Sequence, residues 1–460
     1  MDQSRLAELR IPVAQINDPE LAQHVLDLDR AHVFHSWSAQ GSLNPVTIAG
    51  GLGSRVWDFN GKSYLDFSSQ LVFTNLGHQH PKLIAAIKEQ ADVLCTAAPP
   101  YAVQARGEAA QAISALMPDS HQKVFFTNGG ADGNENAIRM ARLFTGKRKI
   151  LSTHRSYHGN TGAAIMATGD QRRWPNEYAD GHAHFFGPFL YRTPFWATTE
   201  EEECARALDH LEQTILFEGP STIAAVILEA VPGSAGVLVP PAGYLEGVRA
   251  LCDKYAIMYI ADEVMCGFGR TGSWFGFDHA GVVPDLVVFA KGVNSGYVPL
   301  GGVIISNEIA HHFDDRVFPG GLTYSGHPLA CASAVASIDI LRDEAVIENA
   351  DTVGNGVLGP KLRDLIDKHP SIGEVRGQGM FWAIELVADR HTREPLAPYG
   401  GTSPAMAAVG AAARANGLVS FIVGNRIHVV PPLVLTAEEA IEGVEILDLA
   451  IAEADKHVSA

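Results

Sequence analysis

Two short apolar runs of β-forming residues each end abruptly on a charged side chain, and a chain built this way has few folds open to it. Ala256-Ile257-Met258-Tyr259-Ile260-Ala261 leads straight into Asp262, and Leu286-Val287-Val288-Phe289-Ala290 into Lys291. Runs of this kind without polar alternation fit strands covered on both faces, the condition of a parallel sheet. Residues 243–255, ahead of the first run, carry helical spacing, and strands alternate with helices in this manner from about 66 to 334. That alternation predicts an α/β fold with a mostly parallel sheet and helices on both of its faces. Such sheets bind ligands at the carboxyl ends of their strands, where both charges fall.

A lysine in that position is partly desolvated, which lowers its pKa and makes it a nucleophile toward carbonyls. Taken alone, Lys291 reads more readily as a strand-capping side chain reaching for water. Asp262 changes the balance, because an acid directly after a buried strand is costly without a cationic partner. Pyridoxal 5'-phosphate (PLP) needs both groups: a lysine to hold its aldehyde and a carboxylate to keep its ring nitrogen protonated. Its phosphate needs backbone N–H groups. The stretch from Lys123 to Asn136 reads as strand, Gly129-Gly130 turn and helix, which is either a plain βα turn or a phosphate cradle at a helix N-terminus. Ser156-Tyr157-His158-Gly159 follows another strand-like run, 149–153, and offers the Tyr157 ring for stacking on a cofactor.

The motifs Asn128-Gly129-Gly130-Ala131, Tyr157-His158-Gly159, Leu228-Glu229-Ala230, Asp262-Glu263-Val264, Gly267 to Gly272, Ala290-Lys291-Gly292 and Thr323 to Pro328 occur in an order that resembles the class III aminotransferases. The match runs from about 44 to 433, and it is most similar to the ω-transaminases of the amine:pyruvate and taurine:pyruvate group. The resemblance implies the PLP-dependent transferase fold type I: a mostly parallel seven-stranded central sheet in a large domain (66–334) and a small α/β domain made from both termini (1–65 and 335–460). It also implies roles for individual residues. Lys291 and Asp262 are catalytic; Gly130, Ala131, Tyr157, His158, Glu229, Val264 and Thr323 hold the cofactor, Thr323 from the neighbouring subunit of a homodimer or tetramer. Arg426 is the mobile arginine for the acceptor's α-carboxylate, with Arg192 as the alternative clamp and Val72, Phe73 and Tyr157 as further substrate contacts. The implied reaction is ping-pong transfer of an amino group from an ω-amino acid or amine donor to a keto acid such as pyruvate. There are departures from the family pattern. Val72 stands where many amine:pyruvate enzymes carry tryptophan, and Gly130-Ala131-Asp132 lacks the usual hydroxyl, which leaves the phosphate to backbone contacts. A PLP-dependent aminomutase or racemase would share Asp262 and Lys291; Arg426 favours transfer, because a mobile clamp serves two substrates that bind in turn.

Other signals are weaker. Gly267 to Gly272 fits G-x-G-x-x-G, yet no helical pattern follows in Ser273 to Phe277, so a nicotinamide-binding dehydrogenase is disfavoured. The pairs His78/His80, His182/His184 and His311/His312 lack metal-site spacing, and no metal is expected. Glu200 to Glu203 read as a solvated first helical turn. Asn60-Gly61 between two alternating runs predicts a hairpin. With 34 basic and 52 acidic residues the formal charge is −18, which argues against nucleic acid or an anionic membrane as a partner. Five scattered cysteines read as reduced thiols, and the N-terminus lacks a signal pattern; a cytoplasmic enzyme is expected.

Overall fold

A computed structural model describes residues 17–177 and 179–458. Its centre is a seven-stranded sheet built from β4 (Lys123–Thr127), β5 (Lys149–Thr153), β6 (His182–Phe185), β7 (Ile223–Glu229), β8 (Met258–Asp262), β9 (Leu286–Phe289) and β10 (Gly301–Ile305), in the order β4-β10-β9-β8-β7-β5-β6. The strands from β9 through β6 are parallel; β10 runs antiparallel between β4 and β9. Every residue of β7 and β9 is buried, as the unalternating apolar runs require. The register sets Glu229 at the end of β7 beside Asp262 at the end of β8, and Asp262 beside Val288 of β9. Three consecutive strands thus deliver Glu229, Asp262 and Lys291 to one edge of the sheet.

The strand predicted from Ala256 starts two residues later. Ala256 adopts left-handed backbone, φ +49°, and closes the preceding helix Tyr244–Tyr255, its N–H donating to Cys252 and Asp253 carbonyls. The acidic turn is also corrected. Thr199 caps the helix Glu200–Glu218, but Glu203 is fully buried: its carboxylate accepts the Phe189 N–H at 2.7 Å and the Thr193 hydroxyl. Only tertiary packing brought those donors to it.

Outside the central sheet, β1 (Ile48–Leu52), β2 (Arg55–Asp58) and β3 (Ser63–Asp66) form a small antiparallel sheet, and Gly61 turns between β2 and β3 at φ +80°. A strand from the other end of the chain, Leu418–Val419, adds in parallel to β3. The Gly267 to Gly272 segment runs as turns with Gly269 and Gly272 at φ +94° and +90°, and no helix opens there. Its Arg270 is fully buried and donates to the Met380 and Pro431 carbonyls and to the Asn75 side chain, which ties the segment to both terminal regions. Among the described residues no helix is long and apolar enough to cross a membrane. Cys204, Cys252, Cys266 and Cys331 are buried free thiols and Cys95 is exposed.

Candidate active site

The carboxyl edge of the sheet opens into a cavity whose walls include Asp262, Glu229, Lys291, Tyr157, His158 and Val264, with Phe73 and the turn Asn128 to Ala131. Asp262 is 2% exposed. Its Oδ2 accepts from His158 Nδ1 at 2.7 Å and from Asn134 Nδ2 at 2.7 Å, and its Oδ1 accepts the Val264 N–H at 3.1 Å. Asn134 Nδ2 also donates to the His158 carbonyl at 2.7 Å, so the acid, the imidazole and the amide brace one another. A buried carboxylate held by three donors is oriented.

Lys291 lines the same cavity as Asp262. Burial pushes its ammonium down to about 8, while Asp262 and Glu229 pull in the opposite direction. Its backbone lies in the left-handed region, φ +50°, which costs a non-glycine residue about 1–2 kcal/mol and re-aims the side chain at the strand end. Glu229 is pushed up to about 7, chiefly by burial; its carboxyl still accepts the Tyr157 N–H at 3.1 Å and the Gly233 N–H at 2.8 Å. One edge therefore holds a fixed acid, an amine that loses its proton near neutrality and a carboxyl that titrates there.

The anion end of the cavity is made by backbone. The helix Gly130–Thr145 begins at the cavity wall, with Gly129 extended ahead of it. A Cβ on Gly130 would lie 2.7 Å from a Val264 methyl, so only glycine lets the helix start this close to β8. Gly159, at φ +132°, approaches Ala131 in the same way: an added Cβ would sit 2.6 Å from the Ala131 Cβ. Free N–H groups at a helix N-terminus suit a phosphate, and Asp262 with Lys291 suits a protonated pyridine ring carrying an aldehyde. The residues present fit PLP.

The remaining predicted site residues lie elsewhere. Val72 is buried in the core at φ +61°, and it is its neighbour Phe73 that reaches the cavity wall. Arg426 opens the strand Arg426–Val429 and donates to the Ala235 carbonyl at 2.6 Å and the Val423 carbonyl at 3.3 Å. Arg192 pairs through Nε with Glu385 at 2.5 Å. Thr323 lies exposed in the 321–326 segment. None of these last three lines the cavity of the single chain. Asn134 went unassigned in the sequence, although it sits one helical turn beyond Gly130 on the cavity side, a spacing that could have marked it.

Comparison with known proteins agrees with this geometry. The class-III aminotransferase family model matches residues 37–451. A taurine–pyruvate aminotransferase of Rhodobacter capsulatus is 36% identical over 408 residues, 82% of this chain and 85% of that protein. A putrescine–pyruvate aminotransferase of Pseudomonas aeruginosa is 36% identical over 406 residues, 83% of this chain and 85% of that one. Among solved structures, a taurine:2-oxoglutarate aminotransferase from Bifidobacterium kashiwanohense, in complex with PLP and glutamate, superposes with a TM-score of 0.92 at 42% identity, covering 95% of this chain and 99% of that one. An (S)-enantioselective ω-transaminase from Thermomicrobium roseum gives 0.88 at 38% identity over 95% and 99% of the two chains. A cavity that joins a depressed lysine, a braced aspartate and a glycine-lined helix start, on a chain matched nearly end to end, makes this protein a member of the class-III aminotransferases, PLP-dependent enzymes of fold type I.

Proposed function

We propose that the enzyme moves an amino group from an ω-amino acid or amine donor to a small keto acid, with pyruvate as the acceptor, in two half-reactions that share one site. The observation that carries the reading is the Lys291 amine, pushed down to about 8, in one cavity with the braced Asp262. When bound, PLP supplies an aldehyde that accepts the amine and a ring that takes up the electron pair released at the donor carbon. Lys291 releases the aldehyde to the donor, and its freed amine then moves the proton from the donor carbon. Asp262 keeps the ring nitrogen protonated, His158 and Asn134 hold that carboxylate in place, and Gly130 and Ala131 offer N–H groups to the phosphate. Tyr157 and Val264 confine the ring.

Arg426 takes the acceptor's carboxylate. Its present partners are two carbonyl oxygens, which a carboxylate outcompetes, and that exchange supports transfer over isomerisation. Arg192 is committed to Glu385 and is the weaker choice. Exposure of Thr323, away from its own chain's cavity, supports a homodimer in which Thr323 of the partner subunit reaches the phosphate. Residues 66–334 form the cofactor-binding domain, and the sheet that joins β3 to Leu418–Val419 supports a small domain drawn from 1–65 and 335–460. The enzyme works in the cytoplasm. A panel of taurine, β-alanine, a diamine and a chiral arylalkylamine against pyruvate and 2-oxoglutarate tests the reading; absence of amine transfer for every pair overturns it.

A further inference from the structure

On the homodimer reading above, Thr323 reaches the neighbouring site on a stretch of chain that must hold its shape, and the structure shows what holds it. Of residues 314–319 only Phe318 is not exposed. Its ring meets Phe125 edge to face, at 5.5 Å between centroids and 80° between planes, and Phe313 at 5.2 Å and 70°. Two residues on, a Cβ on Gly320 would lie 2.5 Å from Phe318 Cζ and 2.6 Å from Asn136 Oδ1, so only glycine lets the chain pass this close to both. The far end is fastened as well. The Ser325 hydroxyl donates to the Phe126 carbonyl at 2.8 Å, and Arg106 Nε donates to the Gly326 carbonyl at 2.9 Å. Leu322, Thr323 and Tyr324 lie between these anchors, and Thr323 and Tyr324 are exposed.

The seat of this arm is part of the chain's own site. Phe125 and Phe126 belong to β4, which runs into the cavity-lining turn Asn128 to Ala131, and Asn136 stands on the helix Gly130–Thr145. Asn136 is itself fixed, its Nδ2 donating to the Asp132 carbonyl at 2.8 Å and its Oδ1 accepting from Arg139 Nη1 at 3.1 Å. The unit of strand, turn and helix that offers a cradle to one phosphate therefore also carries the arm offered to a second copy of the chain.

Ordering a loop costs conformational entropy, and an arm ordered before it meets its ligand keeps more of its hydrogen-bond energy. Loss of a Phe318 that only filled its own fold would loosen β4 and harm its own cradle. Loss of a Phe318 that sets the arm would harm the neighbouring site instead. We propose that Phe318 is a positioning residue for the partner subunit's active site: it seats the 318–325 arm so that Thr323 meets the phosphate bound there.

The test compares two hybrid dimers, each isolated through a tag on one chain and each holding one Lys291 and one Phe318. In the first, Phe318→Ala chains pair with Lys291→Ala chains, so the site that keeps its lysine receives an arm seated by Phe318. In the second, wild-type chains pair with chains carrying both substitutions, so that site receives an arm without Phe318. PLP is titrated into the apo forms, and its capture by Lys291 is read from absorbance. The second hybrid should bind PLP about tenfold more weakly than the first, the worth of about one hydrogen bond to a charged group. Pyridoxal, which lacks the phosphate, should bind both alike. Gly320→Ala in place of Phe318→Ala should give the same order, and Phe318→Leu a smaller gap. Equal affinities or the reverse order overturn the role of Phe318, and an equal difference with pyridoxal overturns the route through the phosphate. A monomeric holoenzyme removes the homodimer reading and this arm with it, whereas a dimer with equal hybrids removes Phe318 alone. Neither result touches the transaminase reading, which the donor panel decides.

Discussion

On the proposed mechanism Lys291 and Asp262 divide one task between an amine that releases the cofactor and an acid that faces its ring nitrogen. Burial pushes the lysine down to about 8, so its neutral form grows in as pH rises through that value. PLP capture by the apoenzyme should accelerate with a midpoint near pH 8 and level off above it; a rate still climbing steeply at pH 9.5 would mean an ordinary surface lysine. Because Asp262 raises this amine, Asp262→Asn should shift the midpoint below 8. The same substitution removes the charge at the ring nitrogen and should cut turnover by at least about a hundredfold, roughly 2.7 kcal/mol of barrier, and a change under threefold would take Asp262 out of the site. Purified enzyme should be yellow, borohydride should fix the cofactor to Lys291, and Lys291→Ala should bind PLP yet fail to turn over. Arg426→Ala should raise the KM for pyruvate strongly while sparing the half-reaction with an uncharged amine; equal damage to both half-reactions would make Arg426 structural.

At the scale of elements, the cavity is framed by a segment that local preference alone would not sustain. Ser69, Gln70 and Val72 all have positive φ, +43°, +62° and +61°, immediately before Phe73. Asp66 holds that segment: its carboxylate accepts the Ser68 N–H at 3.0 Å, the Ser68 hydroxyl at 2.6 Å, the Gln70 side-chain amide at 2.9 Å and His78 Nε2 at 3.0 Å. Burial alone would raise the Asp66 carboxyl, but the hydrogen bonds from His78, Ser68 and Gln70 outweigh it and hold it below the usual range. A depressed carboxyl contributes stability above its unfolded pKa of about 3.9 and loses it as pH falls through the lower folded value. Asp66→Asn should therefore lower the melting temperature at pH 7, by an amount matching about 1–3 kcal/mol, with the gap to wild type closing in acid; a constant gap at every pH would show that the charge is not what matters. Glu203 makes the same point about legibility. In the sequence it is one of four consecutive acids, and only the loop that returns across it distinguishes it from its solvated neighbours.

For the whole molecule, the decisive question is assembly. Thr323 and Tyr324, the latter 62% exposed, do not line their own chain's cavity, and the proposed role of Thr323 requires a second copy. Light scattering at assay concentration should show a dimer as the smallest active species, and mixing inactive Lys291→Ala chains with inactive Thr323→Trp chains should restore activity, since one of the two hybrid sites then combines an intact lysine with an intact threonine. A fully active monomer overturns this assembly.

The strand-to-charge junctions at Asp262 and Lys291, the glycine turn at Gly129-Gly130 and the Asn60-Gly61 hairpin were all readable because each is a local pattern: apolar runs demand burial, and glycine marks backbone that other residues resist. The family resemblance implied a mostly parallel sheet of seven strands, while their order, with β10 reversed between β4 and β9, is set by packing rather than by any one segment. Other features arise from contacts between residues far apart in sequence. Asn134 and His158 converge on Asp262 across separations of 128 and 104 residues, Arg270 reaches Pro431 across 161, and Glu203 is covered by a loop. Burial of a polar group is decided by what closes over it, and that is a property of the folded chain.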